Sequence, residues 1–176
     1  MTVAEAEALL GDYTGIWVLD ESGSSPQISA PQPPRETVTV VTSSRDVDRV
    51  QRHFEAEQRA AAVRYNTLVV LRRRPSTLEL RADGVRLVYD PSPGRRTSVP
   101  VDGGSVAEPG GGEVVRTRIF LDGPGLGIEH MVGSEGQVNE VLEIVNGRLR
   151  MTRTMRVFGE TVAPLVLWYD RDQPGS

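Results

Sequence analysis

The chain has 176 residues, no cysteine, a formal net charge of −4 and a sequence pI near 5.3. That length suits one domain able to bury a core without staples, and the missing cysteines exclude disulfides, thiolate nucleophiles and Cys-based zinc sites. All 20 basic side chains are arginine, which removes Schiff-base chemistry and a catalytic lysine, and the acidic balance gives no reason to expect nucleic acid.

Thr2 and Glu5 form a Thr-x-x-Glu capping box, and Gly11 stands where a helix C-terminus wants a left-handed residue, so a short helix is expected over 3–10. Tyr13 to Asp20 reads as a first strand with Trp17 and Leu19 on one face. Residues 21–35 are rich in Ser, Gly and Pro and read as a flexible surface connection; Thr37 to Thr42, β-branched at nearly every position, reads as a strand. Ser43 or Ser44 then caps a helix with apolar Val47, Val50, Phe54, Ala61 and Tyr65 at spacings of one or two turns. Arg49, His53 and Glu57 form a solvated ladder on its outer face. Asn66 to Leu71 suits either more helix or a short strand, and Pro75 ends both versions. Arg72-Arg73-Arg74 and Arg95-Arg96 read as solvated surface or strand ends.

Alternation returns from Thr77 to Arg81, turns at Asp83-Gly84, runs from Val85 to Asp90, breaks at Pro91-Ser92-Pro93-Gly94 and resumes from Arg95 to Val101. The glycine-rich stretch 103–112 reads as a flexible loop, without the strand-to-helix context of a phosphate cradle. Three turns follow whose registers can be derived. Asn146-Gly147 is a two-residue type I′ signal, since both positions need positive φ. Closing it pairs Val145 with Arg148, which sets Ile144 against Leu149, Leu142 against Met151, Glu140 against Arg153 and Val138 against Met155, all on one face. A three-residue loop, Ser134-Glu135-Gly136, would set Val132 beside Val138, Ile128 beside Leu142 and His130 beside Glu140. Asp122 to Gly125 puts Ile119 beside Ile128 and Thr117 beside His130. After Gly159-Glu160 the last strand, Thr161 to Arg171, has two possible registers. A two-residue loop turns Val166 and Trp168 inward; a three-residue loop turns Leu165, Leu167, Tyr169 and Arg171 inward, with Pro164 fitting only at a bulge or non-bonded position.

Short strands joined by tight turns, one early helix and no βαβ rhythm predict a mainly β fold. The expected form is an antiparallel up-and-down barrel of about eight to ten strands with a short N-terminal helix and one inserted helix. Gly15-Ile16-Trp17, opening the first strand, resembles the Gly-x-Trp signature of lipocalins and related calycin barrels. The run Thr14 to Asp20 with Ser22, and the closing Tyr169-Asp170-Arg171, is similar to uncharacterised bacterial lipocalin-like proteins. The resemblance implies a structural pair, Trp17 plugging one barrel end and Arg171 lying across it as a cation–π contact. The chain departs from lipocalins in lacking disulfide cysteines and in placing its helix early. A related haem-binding barrel family also opens with Gly-x-Trp but continues with Gly-x-Gly and a last-strand histidine, neither of which occurs here, so no haem or other cofactor is expected.

The derived registers place one polar row, Thr117, His130, Glu140 and Arg153, on an otherwise apolar inner face, with Met151 and Met155 flanking Arg153. Three readings stay open. The row is an internal salt bridge that fixes register in a filled scaffold; or it meets the carbonyl or carboxylate of a small, mostly apolar ligand, to which the two methionines also lend an adaptable wall; or it makes the barrel a cofactor-free isomerase or cyclase with His130 as general acid/base, its tautomer set by Glu140, and Arg153 steadying negative charge. A serine hydrolase is not expected, because no Gly-x-Ser-x-Gly elbow is present. Two histidines on unrelated elements make a metal site equally unexpected. No apolar run reaches the roughly 18 residues of a membrane span and no signal peptide is visible, so the expectation is a soluble, cytoplasmic chain, or an exported one if a leader has been trimmed.

Overall fold

A computed structural model of the chain describes residues 2–26, 47–110, 113–134, 136–157 and 159–172. The strand expected over 37–42, the helix cap at Ser43 or Ser44, and most of the connection at 21–35 lie outside them. The described part is a ten-stranded, all-antiparallel sheet rolled into a nearly closed barrel with two helices. In chain order the elements are α1 (Val3–Leu10), β1 (Gly15–Leu19), α2 (Val47–Arg72), β2 (Thr77–Asp83), β3 (Arg86–Ser92), β4 (Thr97–Pro100) and β5 (Ser105–Gly110). They continue with β6 (Glu113–Asp122), β7 (Gly125–Val132), β8 (Gly136–Val145), β9 (Arg148–Val157) and β10 (Glu160–Arg171). Consecutive strands pair as a meander, and β1 closes onto both β2 and β10. The seam lies between β4 and β5. Side chains bridge it, Thr97 Oγ1 donating to Glu108 at 3.1 Å and Arg95 to the Pro109 carbonyl at 3.1 Å. Pro100 and Pro109 lack the N–H that a ladder there would need. No helix among the described residues is long and apolar enough to cross a membrane.

The capping box forms as expected, Thr2 Oγ1 accepting from the Glu5 amide at 3.3 Å and Glu5 from the Thr2 amide at 2.7 Å. Gly11 is right-handed (φ −53°), not left-handed, because the chain makes one more turn in which the amides of Tyr13 and Thr14 both reach the Leu10 carbonyl. This tucks Ala6 and Leu10, both fully buried, into one end of the barrel. The second helix runs unbroken to Arg72, so 66–71 is helical. Its buried stripe is Val63, Thr67 and Leu71, a different face from the expected Val47-Val50-Phe54-Ala61-Tyr65, all of which are only half-buried. The first half is polar nearly all round and only the second half packs on the sheet. His53 stays in its exposed ladder, 3.6 Å from Glu57.

The Asn146-Gly147 hairpin has the derived register at every pair, from Val145 with Arg148 to Val138 with Met155, and both turn residues have positive φ, 52° and 78°. The β6–β7 register is also as derived, with Asp122 and Gly125 themselves paired across a tighter Gly123-Pro124 turn. The β7–β8 register differs by two residues: Val132 pairs with Gly136, His130 with Val138 and Ile128 with Glu140. The left-handed glycine of that turn is Gly133 (φ 60°). Gly136 is kept for another reason, since a Cβ there would meet Thr67 Oγ1 at 2.5 Å and Val63 Cγ1 at 3.0 Å, where α2 crosses the sheet. A shift of two preserves the face of every side chain, so the interior is unchanged but His130 and Glu140 become diagonal neighbours. The last strand uses a two-residue turn and then a bulge between Val162 and Leu165, at Ala163-Pro164, which brings Leu165 opposite Arg153 and turns Leu165, Leu167 and Tyr169 inward. Two further differences are local. The turn after β2 is Gly84-Val85, and the stretch 103–112, expected as a loop, carries strand β5 through Gly110, which among the described residues pairs with β6 alone.

Candidate functional site

Two packed clusters divide the interior. The larger fills the α1 end and includes Trp17, Leu78, Leu80, Leu87, Leu142, Leu149, Met151, Leu167 and Tyr169; the smaller, Leu71, Val138, Met155 and Val157, lies under α2. Between them the inner face carries the polar row. Thr117 and His130 are direct cross-strand partners, and Thr117 Oγ1 lies 3.1 Å from His130 Nδ1. Glu140 and Arg153 are likewise directly paired, with Arg153 Nε donating to Glu140 Oε1 at 2.6 Å. His130 Nε2 reaches diagonally to Glu140 Oε2 at 3.6 Å. Two residues the sequence reading did not include complete the group. From β3, on the opposite wall, the Tyr89 hydroxyl donates to Glu140 Oε2 at 2.8 Å. At the end of α2, the main-chain carbonyl of Arg73 accepts from Arg153 Nη1.

Taking a carboxylate and a guanidinium out of water costs several kcal/mol each, so both must find partners inside. Glu140 is 1% exposed and Arg153 2%. Burial alone would push the Glu140 carboxyl up, but the Arg153 charge, His130 and the Tyr89 hydroxyl outweigh it and hold the carboxyl down to about 2. Burial works against the charge on Arg153, and neighbouring Glu140 raises its pKa nonetheless. Burial and then the Glu140 charge push the Tyr89 phenol well above its usual range, so it remains a donor. The row is thus a self-neutralised polar layer. Tyr169, by contrast, is buried with no hydrogen-bond partner for its hydroxyl among the described residues.

Above the row, toward α2, lies a cavity of about 360 Å³. Thr117, His130, Glu140 and Arg153 form its polar side; Val69, Val70, Val115 and Val132 with prolines 75, 91, 93 and 109 form its apolar walls. Met151 and Met155 do not border it. Met151 packs one layer down in the α1-end core and Met155 packs under α2, so their expected contact with the ligand space is not made. Exposed Arg73 and Arg95 border the cavity where it meets solvent. Trp17 and Arg171 sit at the far end, away from the cavity: Arg171 lies over the indole with its guanidinium carbon 4.5 Å from the ring centroid, and donates to the Thr14 and Asp12 carbonyls at 3.1 and 2.7 Å. Among the described residues no three His, Cys, Asp or Glu side chains are grouped to hold a metal.

Tyr89 was recoverable only in part from sequence. Leu87, Tyr89 and Pro91 alternate inward on β3, but nothing local says that the hydroxyl meets Glu140, 51 residues away across the lumen.

No family model and no curated protein matches the chain. Solved structures do. The REP1-NXSQ fatty acid transporter superposes over 94% of this chain and 99% of its own, with a TM-score of 0.51 at 16% identity. Lipid binding protein 8 of Caenorhabditis elegans, in its apo form, superposes over 93% and 97%, with a TM-score of 0.52 at 10% identity. At such identities the likeness establishes the fold alone, a lipocalin-like antiparallel β-barrel.

Proposed function

We propose that this lipocalin-like barrel binds a small, mostly apolar molecule in its interior, with Thr117, His130, Glu140 and Arg153 facing the ligand's carbonyl or carboxylate. The observation that carries the reading is the cavity itself, about 360 Å³ with valine and proline walls and a polar side, a size and lining typical of small-molecule sites at ~300–1,000 Å³. A barrel filled throughout would leave no such space. The names of the two similar barrels, one a fatty acid transporter and one a lipid-binding protein, point to the same class of occupant.

In this reading the ion pair gives the ligand a rigid floor. Arg153 and Glu140 fix each other, Tyr89 ties the far wall to them, and Thr117 and His130 offer the polar edge nearest the cavity. The test is native mass spectrometry of the purified protein, before and after extraction of bound lipids and after re-addition of decanoate. A one-to-one adduct that is removed and restored is the expected result. No adduct at any stage, at decanoate concentrations well above those of ordinary fatty-acid carriers, would remove the proposal.

A further inference from the structure

The polar row and the cavity mouth differ in one respect that bears on which end of a ligand goes where. At the row, the one arginine is already matched by Glu140 and spends a second N–H on the Arg73 carbonyl. A ligand carboxylate placed there would share one cation with Glu140 in a site removed from water, and two carboxylates so placed repel each other. At the mouth the balance is reversed. Arg73 is exposed, its main chain is anchored from below by Arg153, and among the described residues its guanidinium has no hydrogen-bonding or ion-pair partner. Arg95, the other mouth cation, lies 3.7 Å from Glu108, a carboxylate that also accepts from Thr97. Of the fixed charges lining the cavity among the described residues, three arginines (73, 95 and 153) face two glutamates (108 and 140), leaving one positive charge in a protein whose net charge is −4. A concave, low-dielectric site of opposite sign to its protein focuses potential toward an incoming anion.

We infer that Arg73 is an anion site at the cavity mouth, and that the ligand is a monoanionic amphiphile bound with its charged end outward and its apolar body reaching inward to the row. This rests on the interior-binding reading and decides between its two polar partners: the carboxylate goes to Arg73, and the row meets at most an uncharged oxygen.

The test uses calorimetric titration of the full chain with decanoate and with decanol, at low salt. Wild type takes decanoate more tightly than decanol. Arg73→Gln weakens decanoate about fivefold, as loss of a partly screened charge pair should, and leaves decanol within about twofold. Arg73→Lys keeps the preference, and raising the salt to about 0.5 M erodes it in wild type. The side chain is exposed and only its main-chain carbonyl holds Arg153, so these variants keep the fold, which an unchanged melting temperature verifies. Equal affinity of wild type and Arg73→Gln for decanoate, or equal losses for both probes, overturns the charge-outward placement while leaving interior binding intact. If neither probe binds wild type, the interior-binding reading falls and takes this one with it.

Discussion

The two ends of the barrel interior are built from similar strands and do different things. At the α1 end, Ala6 and Leu10 are driven between the strands and the space is filled, Trp17, Leu142, Leu149 and Leu167 all having no exposure. At the α2 end the helix stands off. Its close contact, through the buried stripe Val63-Thr67-Leu71 with Leu68 and Val70 beside it, is against β7, β8 and β9, and the space it spans toward β3 to β6 is left as cavity. The layer between is polar. A short helix that enters a barrel fills it, and a long helix that lies across one leaves room beneath. The ion pair at the boundary is what allows one end to be solid and the other hollow, because it finishes the core with groups that satisfy each other.

The largest effect expected is at that boundary. Arg153→Met leaves Glu140 buried without its cation and should cost about 3–5 kcal/mol in chemical denaturation. Glu140→Leu combined with Arg153→Met should recover most of it, giving a coupling energy far above the ~0.5 kcal/mol of independent sites. The same pair sets the acid limit. The Glu140 carboxyl is lowered from 4.5 unfolded to about 2 folded, so its contribution is fully present above pH 4.5 and is lost as pH falls toward 2. Wild type should therefore lose stability more steeply than the double variant over that window, read as melting temperature against pH.

Truncations to alanine at the two ends sharpen the comparison, the Leu change removing one carbon more than the Val change. Leu149→Ala removes a fully packed side chain at the α1 end and should cost about 2–5 kcal/mol. Val115→Ala enlarges a space that already exists and should cost under about 1 kcal/mol. Similar losses at both would break the distinction between a filled and a hollow end. Where α2 does touch the sheet it is tight: Gly136→Ala drives a methyl into Thr67 Oγ1 and should cost about 1–3 kcal/mol by overpacking, most of it recovered when Thr67→Ala is added. The smallest effects separate two buried tyrosines. Tyr89→Phe deprives Glu140 of a donor and should cost about 1–2 kcal/mol, whereas Tyr169→Phe removes a hydroxyl with no partner and should be neutral or stabilising. Thermal melts of the two variants side by side decide it.

What the sequence made legible was whatever local turn chemistry controls. Asn146-Gly147 dictates a turn with two positive φ values, and the period of two then carries the register to Glu140 and Arg153, six residues from the turn on each side. Pro164 fits only at a bulge or a non-bonded position, and the bulge found there turns Leu165, Leu167 and Tyr169 inward. What stayed hidden was set by tertiary contact. Gly136 looks like a turn glycine but serves the close approach of Thr67, so the β7–β8 register was displaced. Strand β5 is masked by the glycines around it. The packed face of α2 is polar at its centre, where Thr67 bonds back to the Val63 carbonyl at 2.8 Å, and an apolar-periodicity search passes over it. Tyr89 and Arg73 reach the site only because the sheet rolls up and the helix ends over it.

The most direct test of the central claim, that the α2 end is a hollow ligand site above a self-satisfied polar layer, is to fill it. Val115→Trp puts a large side chain into the cavity from β6 and replaces no residue of the row. Titrated with decanol, whose binding does not depend on charge, this variant is predicted to lose binding by at least about tenfold while its melting temperature stays near that of wild type. Undiminished decanol binding in a folded Val115→Trp protein would contradict the account.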